Sequence, residues 1–342
     1  MKSVYVKAPF EFEFREEPVP TPGAGQVVVE VAYCGICGSD LTMARHQAKD
    51  WVALGHEASG TVAAIGPGVN TVAKGDRVAL DCGNSCGICT ECRSGRPRRC
   101  TAGQGYYASR SGFAEFLLVH AQNVHKIGDL DLKTACLLEP FCVAMYMFRC
   151  LEIDFLDDVL LIGAGPIGLL AMAACKARGA RSITAVVRAA GARSKVARSL
   201  GAKTITAKGD PAEFIAKNLK DSFDKIILTA PPDLLPAVVA AARVNGIIAY
   251  CGLGAAGKPV VPLDWDAIHG KNVVIRPMGE VPKDQPQAIE LLRRGAIDAG
   301  KFITHTFPRN RIPEAFRLIE EKRDEVVKVV IEVKKQRSRT AR

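Results

Sequence analysis

The sequence has no long apolar run, few aromatic residues and no internal repeat. A membrane span requires roughly 18 uninterrupted apolar residues, and because no stretch reaches that length we expect no transmembrane segment. The first ten residues contain neither an apolar signal core nor a small-residue cleavage site, so we expect no secretory signal. Aromatic residues make up 6% of the chain and form no stacking motif of nucleic-acid modules. We therefore expect a cytoplasmic protein that binds neither membrane nor nucleic acid.

The chain has 342 residues and a formal net charge of +10. Part of this charge lies in the C-terminal tail, without hydrophobic periodicity, at Lys334, Lys335, Arg337, Arg339 and Arg342. We interpret the tail as a solvated terminus, with nucleic-acid binding as the alternative. A positive field would in addition attract a cofactor that carries phosphate groups.

The length of the chain and the change of sequence pattern along it predict two domains, each with a core of its own. Before about residue 138, short β-rich runs between Gly/Pro turns predict an irregular antiparallel β-domain. Between Val143 and Pro277, apolar strands alternate with helices, which predicts a doubly wound parallel sheet. The remainder contains two helical patterns and a strand at Val326–Val333. The expected fold class is therefore α/β.

A glycine-rich turn follows the first apolar strand of the parallel region. Gly163, Gly165 and Gly168 fit the pattern G-x-G-x-x-G. A strand is predicted before them at Val159–Ile162, and a helix is predicted after Pro166 at Ile167–Arg178. In this pattern the glycines allow the turn, the approach of a pyrophosphate and close packing of helix on strand. The N-terminus of the helix favours phosphate. The segment predicts a dinucleotide site, with a structural turn that binds no ligand as the alternative.

The end of the next strand indicates which dinucleotide binds. An NAD site usually has Asp or Glu there to bind the ribose 2′-OH. Here the strand ends at Val187, and the residues beyond it include Arg188, Arg193 and Lys195 but no carboxylate. A guanidinium that pairs with a 2′-phosphate suits NADP. We therefore expect NADP in preference to NAD; a solvated arginine is the alternative interpretation.

Twelve cysteines are many for a chain in a reducing compartment, where clustered thiols usually hold a metal. Five lie between Cys82 and Cys100. Four of these have the spacing C-x2-C-x2-C-x7-C and can form a closed tetrahedral Zn²⁺ site without a position for chemistry. The predicted ligands are Cys86, Cys89, Cys92 and Cys100. An iron–sulfur cluster is the alternative, and Cys82 is a spare thiol.

A second, sparser group consists of Cys37, the adjacent pair His56 and Glu57, and Glu139. A thiolate, an imidazole and a carboxylate can hold one Zn²⁺ and leave a position for water or an alcohol oxygen. Taken singly, His56 also fits an ordinary loop histidine, and Cys37 fits a buried core thiol.

Several motifs occur in a fixed order along the chain: CGICGSD, GHE-x2-G-x-V, KGDRV, the four-cysteine lobe, LLEP, GAGPIG and KVVI. Together they resemble the zinc-containing medium-chain dehydrogenase/reductase family, most closely its polyol, threonine and aminocyclitol dehydrogenases. The resemblance implies a GroES-like domain at residues 1–142 and 278–342, with a structural zinc lobe at about 82–100. It implies a Rossmann domain at residues 143–277, two zinc ions per chain, and a homodimer or homotetramer.

The resemblance also implies roles for the residues of the metal centre. Cys37 and His56 match two ligands of the catalytic zinc, and either Glu57 or Glu139 matches a carboxylate that binds directly or through water. Asp40 matches an acidic partner of the zinc-bound histidine, which fixes its tautomer.

Ser39 matches a hydroxyl that passes the substrate proton towards the cofactor ribose. Thr42 stands where many relatives have histidine at the end of this relay, so the proton route passes through Thr42 and water, through His46, or elsewhere. Lys328 matches a basic position near the cofactor pyrophosphate, and Gly252 and Leu253 match the loop beside the nicotinamide.

The function implied is hydride transfer between a polar secondary alcohol or its ketone and NADP(H), with Zn²⁺ stabilising the alkoxide. A zinc-free quinone or enoyl reductase on the same scaffold is one alternative. A non-enzymatic nucleotide-binding protein is the other.

Overall fold

The computed structural model describes residues 1–81, 86–96, 99–101, 111–252, 260–278 and 284–334. Its strands are β1 (Lys2–Lys7), β2 (Glu11–Glu16), β3 (Gln26–Gly35), β4 (Val52–Ala53), β5 (Glu57–Ile65), β6 (Arg77–Leu80), β7 (Phe116–His120), β8 (Val124–Lys126), β9 (Asp158–Ile162), β10 (Ser182–Val187), β11 (Lys203–Thr206), β12 (Phe223–Leu228), β13 (Ala242–Tyr250), β14 (Val274–Pro277), β15 (Ile303–Pro308) and β16 (Lys328–Glu332).

Its α-helices are α1 (Gly38–Thr42), α2 (Thr90–Arg93), α3 (Leu132–Ala135), α4 (Leu138–Leu151), α5 (Pro166–Arg178), α6 (Ala192–Ser199), α7 (Pro211–Asn218), α8 (Leu235–Ala241), α9 (Trp265–Lys271), α10 (Gln285–Arg293) and α11 (Ile312–Glu321). A π-helical turn, Met43–Gln47, follows α1. Among the described residues, no helix combines the length and apolar character that a membrane crossing requires.

The chain divides into two compact units. Unit 1 comprises Met1–Glu139, Gln285–Arg323 and the chain from Lys328 onward, and unit 2 comprises Pro140–Asp284 and Asp324–Val327. The predicted strand at Val326–Val333 is too long at both ends, since β16 spans Lys328–Glu332.

Unit 1 contains a three-stranded sheet and a seven-stranded sheet. The larger one has the order β15-β16-β3-β5-β6-β8, and β7 pairs with β3 beside this path. Pairing is antiparallel as expected, except that β15 and β16 run parallel. Strand β3 carries successive buried valines on both faces, which suits a central strand. It places Gly35, its last residue, beside Glu57 of β5 and Val330 of β16.

Helix α11 covers part of the core of unit 1 with one apolar face. Ile312, Ala315, Phe316 and Ile319 recur at helical spacing and are all buried. The Phe316 ring packs edge-on against Phe12, with ring centroids 5.1 Å apart. Burial of such a face stabilises the helix more than its intrinsic propensity does.

Unit 2 is built on a six-stranded parallel sheet in the order β11-β10-β9-β12-β13-β14. Counted within the unit this order is 3-2-1-4-5-6, the arrangement of Rossmann dinucleotide-binding folds. Aliphatic residues of the central strands, among them Leu160, Ile226 and Ile248, form its buried core. The predicted α/β class is confirmed. Cofactors of such sheets bind at the carboxyl ends of the strands, where the order reverses.

Candidate functional site

Cys37 lies in the short bend between β3 and α1 and caps that helix. Its backbone N–H donates to Oδ2 of Asp40 over 2.9 Å, and the second oxygen of the same carboxylate accepts from Gly55 N–H over 3.3 Å. Asp40 is completely buried. A buried carboxylate that accepts backbone N–H bonds fixes the segments it binds. Asp40 thus connects the Cys37 bend to the segment that leads into His56.

His56 is 5% exposed, and its Nδ1 lies 3.6 Å from Oδ1 of Asp40. Burial by itself lowers the pKa of His56, but the negative charges of Asp40 and Cys37 outweigh burial and raise the pKa well above its ordinary value. Nδ1 is buried and has no hydrogen-bond partner among the described residues. An imidazole with a carboxylate facing one nitrogen is the arrangement that orients a metal-binding histidine.

The ligand atoms of Cys37, His56 and Glu57 all lie within 4.8 Å of one another. A thiolate, an imidazole and a carboxylate at this separation fit Zn²⁺ with one coordination position left for another oxygen. The donor set of the three side chains therefore agrees with a metal at this place.

Glu139 lies in the first turn of α4 and is 5% exposed. It is outside the three-residue set. Burial acts to lower the pKa of Lys328, but the charge of Glu57 outweighs burial and raises this pKa, with smaller contributions from Cys37 and Glu139. Ser39 has a buried Oγ without a hydrogen-bond partner among the described residues. Thr42 donates its hydroxyl to the backbone oxygen of Gly38 over 3.0 Å, and His46 is exposed in the π-helical turn.

Lys328 forms a buried ion pair with Glu57. It is 2% exposed, and its ammonium group donates to both carboxylate oxygens of Glu57, each over 2.6 Å, and to Ile36 O over 3.1 Å. Lys328 is thus the counter-ion of Glu57. Its contact with the cofactor pyrophosphate stays a prediction.

Four cysteine sulfur atoms form the second predicted metal group. Those of Cys86, Cys89, Cys92 and Cys100 lie within 4.8 Å of one another. Backbone N–H groups point at three of them; for example, Cys86 N–H lies 3.1 Å from the sulfur of Cys100. Four thiols gathered so closely, with N–H donors that favour thiolates, fit a closed tetrahedral zinc site. Cys82 lies outside the described residues.

The glycine-rich turn has the geometry of a dinucleotide site. Gly163 has φ of +102°, and a Cβ on Gly168 would lie 2.3 Å from the backbone oxygen of Gly163. By contrast, a Cβ on Gly165 would meet nothing within 4 Å, so the space above this residue is open. Helix α5 begins directly after it, with Pro166 at its first position and no side chain capping its N-terminus. Ile167 follows in the first turn, and the free N–H groups there can bind phosphate.

Basic residues follow β10, as the sequence suggests. Arg188 is exposed, and its Nη2 lies 3.5 Å from Oδ1 of Asp324. Arg193 donates from Nε to Val326 O over 2.8 Å, whereas Lys195 is exposed on α6. Gly252 follows β13, where its carbonyl accepts from the hydroxyl of Tyr250.

The predicted loop residue Leu253 lies outside the described residues.

The sequence does not predict the contacts of two residues at these sites. Gly35 faces Glu57 so closely that a Cβ there would lie 2.1 Å from its Oε2. Asp324 reaches Arg188 from a part of the chain 136 residues away. The doublet Cys34–Gly35 is visible in the sequence, but only strand pairing shows which side chain lies over the glycine.

Comparison with known proteins covers most of the chain. Residues 23–129 match the family "Alcohol dehydrogenase GroES-like domain", and residues 166–294 match "Zinc-binding dehydrogenase". The L-threonine 3-dehydrogenase of Saccharopolyspora erythraea is 33% identical over 89% of this chain and 91% of its own.

Two solved structures match the chain over nearly its whole length. One is the short chain alcohol dehydrogenase rspB from Escherichia coli CFT073, solved in complex with NADH. It has a TM-score of 0.86 at 32% identity. The alignment covers 97% of this chain and 99% of that one. A putative zinc-binding dehydrogenase from Sinorhizobium meliloti 1021, bound to NADP, has a TM-score of 0.85 at 26% identity, with 97% and 98% covered. Sequence, fold and both cysteine-containing groups thus agree, and the chain belongs to the zinc-type alcohol dehydrogenases of the medium-chain dehydrogenase/reductase family.

Proposed function

We propose that this enzyme transfers hydride between a polar secondary alcohol, such as a polyol, an aminocyclitol or a related compound, and NADP(H). The observation that carries the proposal is the set of Cys37, His56 and Glu57, whose ligand atoms lie within 4.8 Å of one another. The relative from Saccharopolyspora erythraea is named for the oxidation of threonine at carbon 3, a polar secondary alcohol. That name supports the proposed class of substrate.

The chain's own residues hold the metal and arrange its surroundings. Cys37 and His56 would bind Zn²⁺, and the buried carboxylate of Asp40 keeps both segments in place. When bound, Zn²⁺ supplies a Lewis acid that favours the alkoxide form of an alcohol, and the nicotinamide supplies the hydride acceptor. The buried surroundings of His56 and Glu57 exclude water and strengthen the electrostatic interactions of the site.

Ser39 is the proposed carrier of the substrate proton. Its Oγ is buried and has no hydrogen-bond partner among the described residues, so a hydroxyl of the substrate can take that role. Thr42 already donates to Gly38 O and can act in a relay only as an acceptor. The exposed His46 is a poorer candidate, because bulk water competes for its proton.

The proposed preference for NADP rests on Arg188. Its side chain is 61% exposed directly after β10, where a 2′-phosphate of the cofactor adenosine would lie. A guanidinium binds phosphate in a bidentate manner and keeps its charge at all physiological pH values. One solved relative holds NADH and another holds NADP, so both cofactors occur among similar folds.

A zinc-free quinone or enoyl reductase is a weaker interpretation of this chain. That reaction has no use for a thiolate, an imidazole and a carboxylate buried together, or for four gathered thiols. Metal analysis separates the two functions. We expect about two zinc ions per chain, one at each predicted group.

A substrate screen tests the proposal directly. Purified enzyme with its zinc is offered a panel of polyols, aminocyclitols, hydroxy-amino acids and the matching ketones, each with NADP(H) and with NAD(H). Absorbance of the reduced cofactor reports turnover. We expect oxidation of at least one polar secondary alcohol, faster with NADP. Full zinc content without turnover on any member of the panel would refute the proposed function.

A further inference from the structure

A cavity of about 230 Å³ lies in unit 1 between the β1–β2 hairpin and helix α11. Its lining combines two phenylalanines and a proline with three charged side chains, and none of these residues belongs to a metal group or to the dinucleotide turn. The lining residues are Phe10, Phe12, Pro313, Arg317, Glu320 and Glu321. Sites for small molecules join an apolar lining to a few polar groups and usually have volumes of roughly 300–1,000 Å³. The cavity therefore has the lining of a ligand site and the size for a small ligand.

Contacts with the rest of unit 1 hold both walls of the cavity in place. Phe10 has φ of +52°, which is uncommon for a residue with a large side chain, and its N–H donates to Ala44 O over 2.8 Å. The ring of Phe12 packs edge-on against α11. On the opposite wall, the carboxylate of Glu320 accepts from Nη2 of Arg45. A cavity with fixed walls costs little entropy of ordering when a ligand binds.

Two charged side chains of the lining are available to a ligand. Arg317 and Glu321 form no ion pair within the part of the chain that the structure describes, whereas Glu320 is already paired. Glu314, one turn before Arg317, is bound to Arg311 instead. Arg317 and Glu321 are four positions apart on α11, so they lie on one face of the helix. One guanidinium and one carboxylate thus lie together at the edge of an apolar cavity.

We propose that this cavity binds a free α-amino acid with an apolar side chain. Its carboxylate pairs with the guanidinium of Arg317, which can donate two parallel hydrogen bonds, and its ammonium group pairs with Glu321. Its side chain lies against the rings of Phe10 and Phe12, whose faces also attract the ammonium group. A ligand with a single charge could pair with only one of the two charged residues. The site is separate from the metal centre and goes beyond the proposed hydride transfer.

Isothermal titration calorimetry of the full-length, zinc-loaded enzyme with L-phenylalanine tests the proposal. Phenethylamine and phenylpropionate are matched probes, because the first lacks the carboxylate and the second lacks the ammonium group. The Cys37→Ser variant is titrated in parallel, since an amino acid could also bind a zinc ion at the metal centre. We expect L-phenylalanine to bind both enzymes alike. It should bind roughly 3–10-fold more tightly than either probe, the range for one ion pair at an exposed site.

Substitutions in the lining locate the binding. Arg317→Gln and Glu321→Gln should each weaken L-phenylalanine binding roughly 3–10-fold, and both positions are exposed, so folding should be unaffected. Phe10→Gly removes one ring at a position whose φ glycine adopts readily, and it should weaken binding by at least as much. Glu314→Gln is the matched control on the same helix, since Glu314 lies outside the lining. It should bind as the unmodified enzyme.

Several results would overturn the proposal. These are no detectable binding of L-phenylalanine at millimolar concentration, binding that is lost in Cys37→Ser, and binding that Arg317→Gln, Glu321→Gln and Phe10→Gly leave unchanged. Phenethylamine or phenylpropionate binding as tightly as L-phenylalanine, or more tightly, would show that the class of ligand is wrong. Should the substrate screen fail while Cys37→Ser still binds L-phenylalanine, only the proposed hydride transfer would be refuted, and the cavity site would stand.

Discussion

Arg188 and Asp324 face each other at the end of β10, with Nη2 of the guanidinium 3.5 Å from Oδ1 of the carboxylate. The two residues come from distant parts of the chain, yet both belong to unit 2. The backbone of Gly191, three residues after Arg188, also lies close to Asp324. A Cβ on this glycine would lie 2.3 Å from the backbone oxygen of Asp324. A 2′-phosphate that binds Arg188 would therefore lie close to a negative charge.

Opposite effects on cofactor binding are expected from the two members of this pair. Arg188→Ala should weaken NADPH binding roughly 10–100-fold, the range for a lost hydrogen bond to a charged group, and NADH binding much less. Asp324→Asn should strengthen NADPH binding by a few-fold, because it removes a repulsive charge. Titration of cofactor fluorescence measures both dissociation constants. Equal losses for NADPH and NADH in Arg188→Ala would contradict the proposed cofactor preference.

Cys37→Ser should abolish turnover while NADPH binding persists. The thiolate is one of three gathered ligands, and a serine hydroxyl is a much weaker ligand for Zn²⁺. The zinc content measured by metal analysis should fall from about two ions per chain to about one, since the four-cysteine group is unchanged. Fluorescence titration with NADPH is the control for folding of unit 2. A variant with near-normal kcat would show that Cys37 is not a catalytic ligand.

Gly165→Ala and Gly168→Ala form a matched pair within one turn. A methyl group on Gly168 collides with Gly163 O, so this variant should destabilise unit 2 by about 1–3 kcal/mol. A methyl group on Gly165 meets no atom within 4 Å and should change stability by less than about 1 kcal/mol. It nevertheless occupies the space that a pyrophosphate needs, so NADPH binding should fall sharply. Urea unfolding and NADPH titration separate the two effects, and unchanged NADPH binding by Gly165→Ala would argue against a dinucleotide at this turn.

Low pH should reduce the stability of unit 2, because Asp158 at the start of β9 becomes protonated. The hydrogen bond from Arg181 lowers the pKa of Asp158 far below its ordinary value, although burial acts against this, and Ser182 and Arg243 lower it further. A carboxylate whose folded pKa is depressed contributes stability above its unfolded pKa and loses it as pH falls. The contribution should therefore be complete at pH 7 and decline below about pH 4, the ordinary range of aspartate.

Asp158→Asn measures this contribution. At pH 7 we expect a loss of roughly 1–2 kcal/mol, kept modest because Arg181 and Arg243 are more than a third exposed. At pH 3 the difference from the unmodified enzyme should shrink. Urea unfolding at both pH values is the measurement, and exposed Asp266→Asn is the control. A difference that stays constant with pH would exclude the ionised carboxylate as its source.

The parallel sheet of unit 2 is predictable because its signals are local. The sequence predicts a strand at Val159–Ile162 and a helix at Ile167–Arg178, and each begins one residue earlier in the structure. Buried aliphatic runs, a glycine turn and an apolar helix carry this information within a few residues. Strand β13 is less well predicted: the sequence pattern predicts a strand at Gly246–Cys251, whereas β13 begins at Ala242, which pairs with Phe223 of β12 ahead of an irregularity in the register.

The sequence predicts which residues form the metal centre, but it does not predict which residues pair with them. Cys37, His56 and Glu57 stand in recognisable motifs, and the structure brings their ligand atoms together. The partner of Glu57 lies 271 residues away, and no local pattern indicates that β16 pairs with β3. Long-range strand pairing therefore places Lys328 beside the carboxylate of Glu57.

The close approach of Gly35 to Glu57 has a consequence for the history of the family. A methyl group at position 35 and a carboxylate at position 57 exclude each other in this arrangement. Relatives that have a larger residue in place of Gly35 should also have a different residue in place of Glu57 or Lys328. We therefore expect substitutions at these three positions to be correlated among relatives.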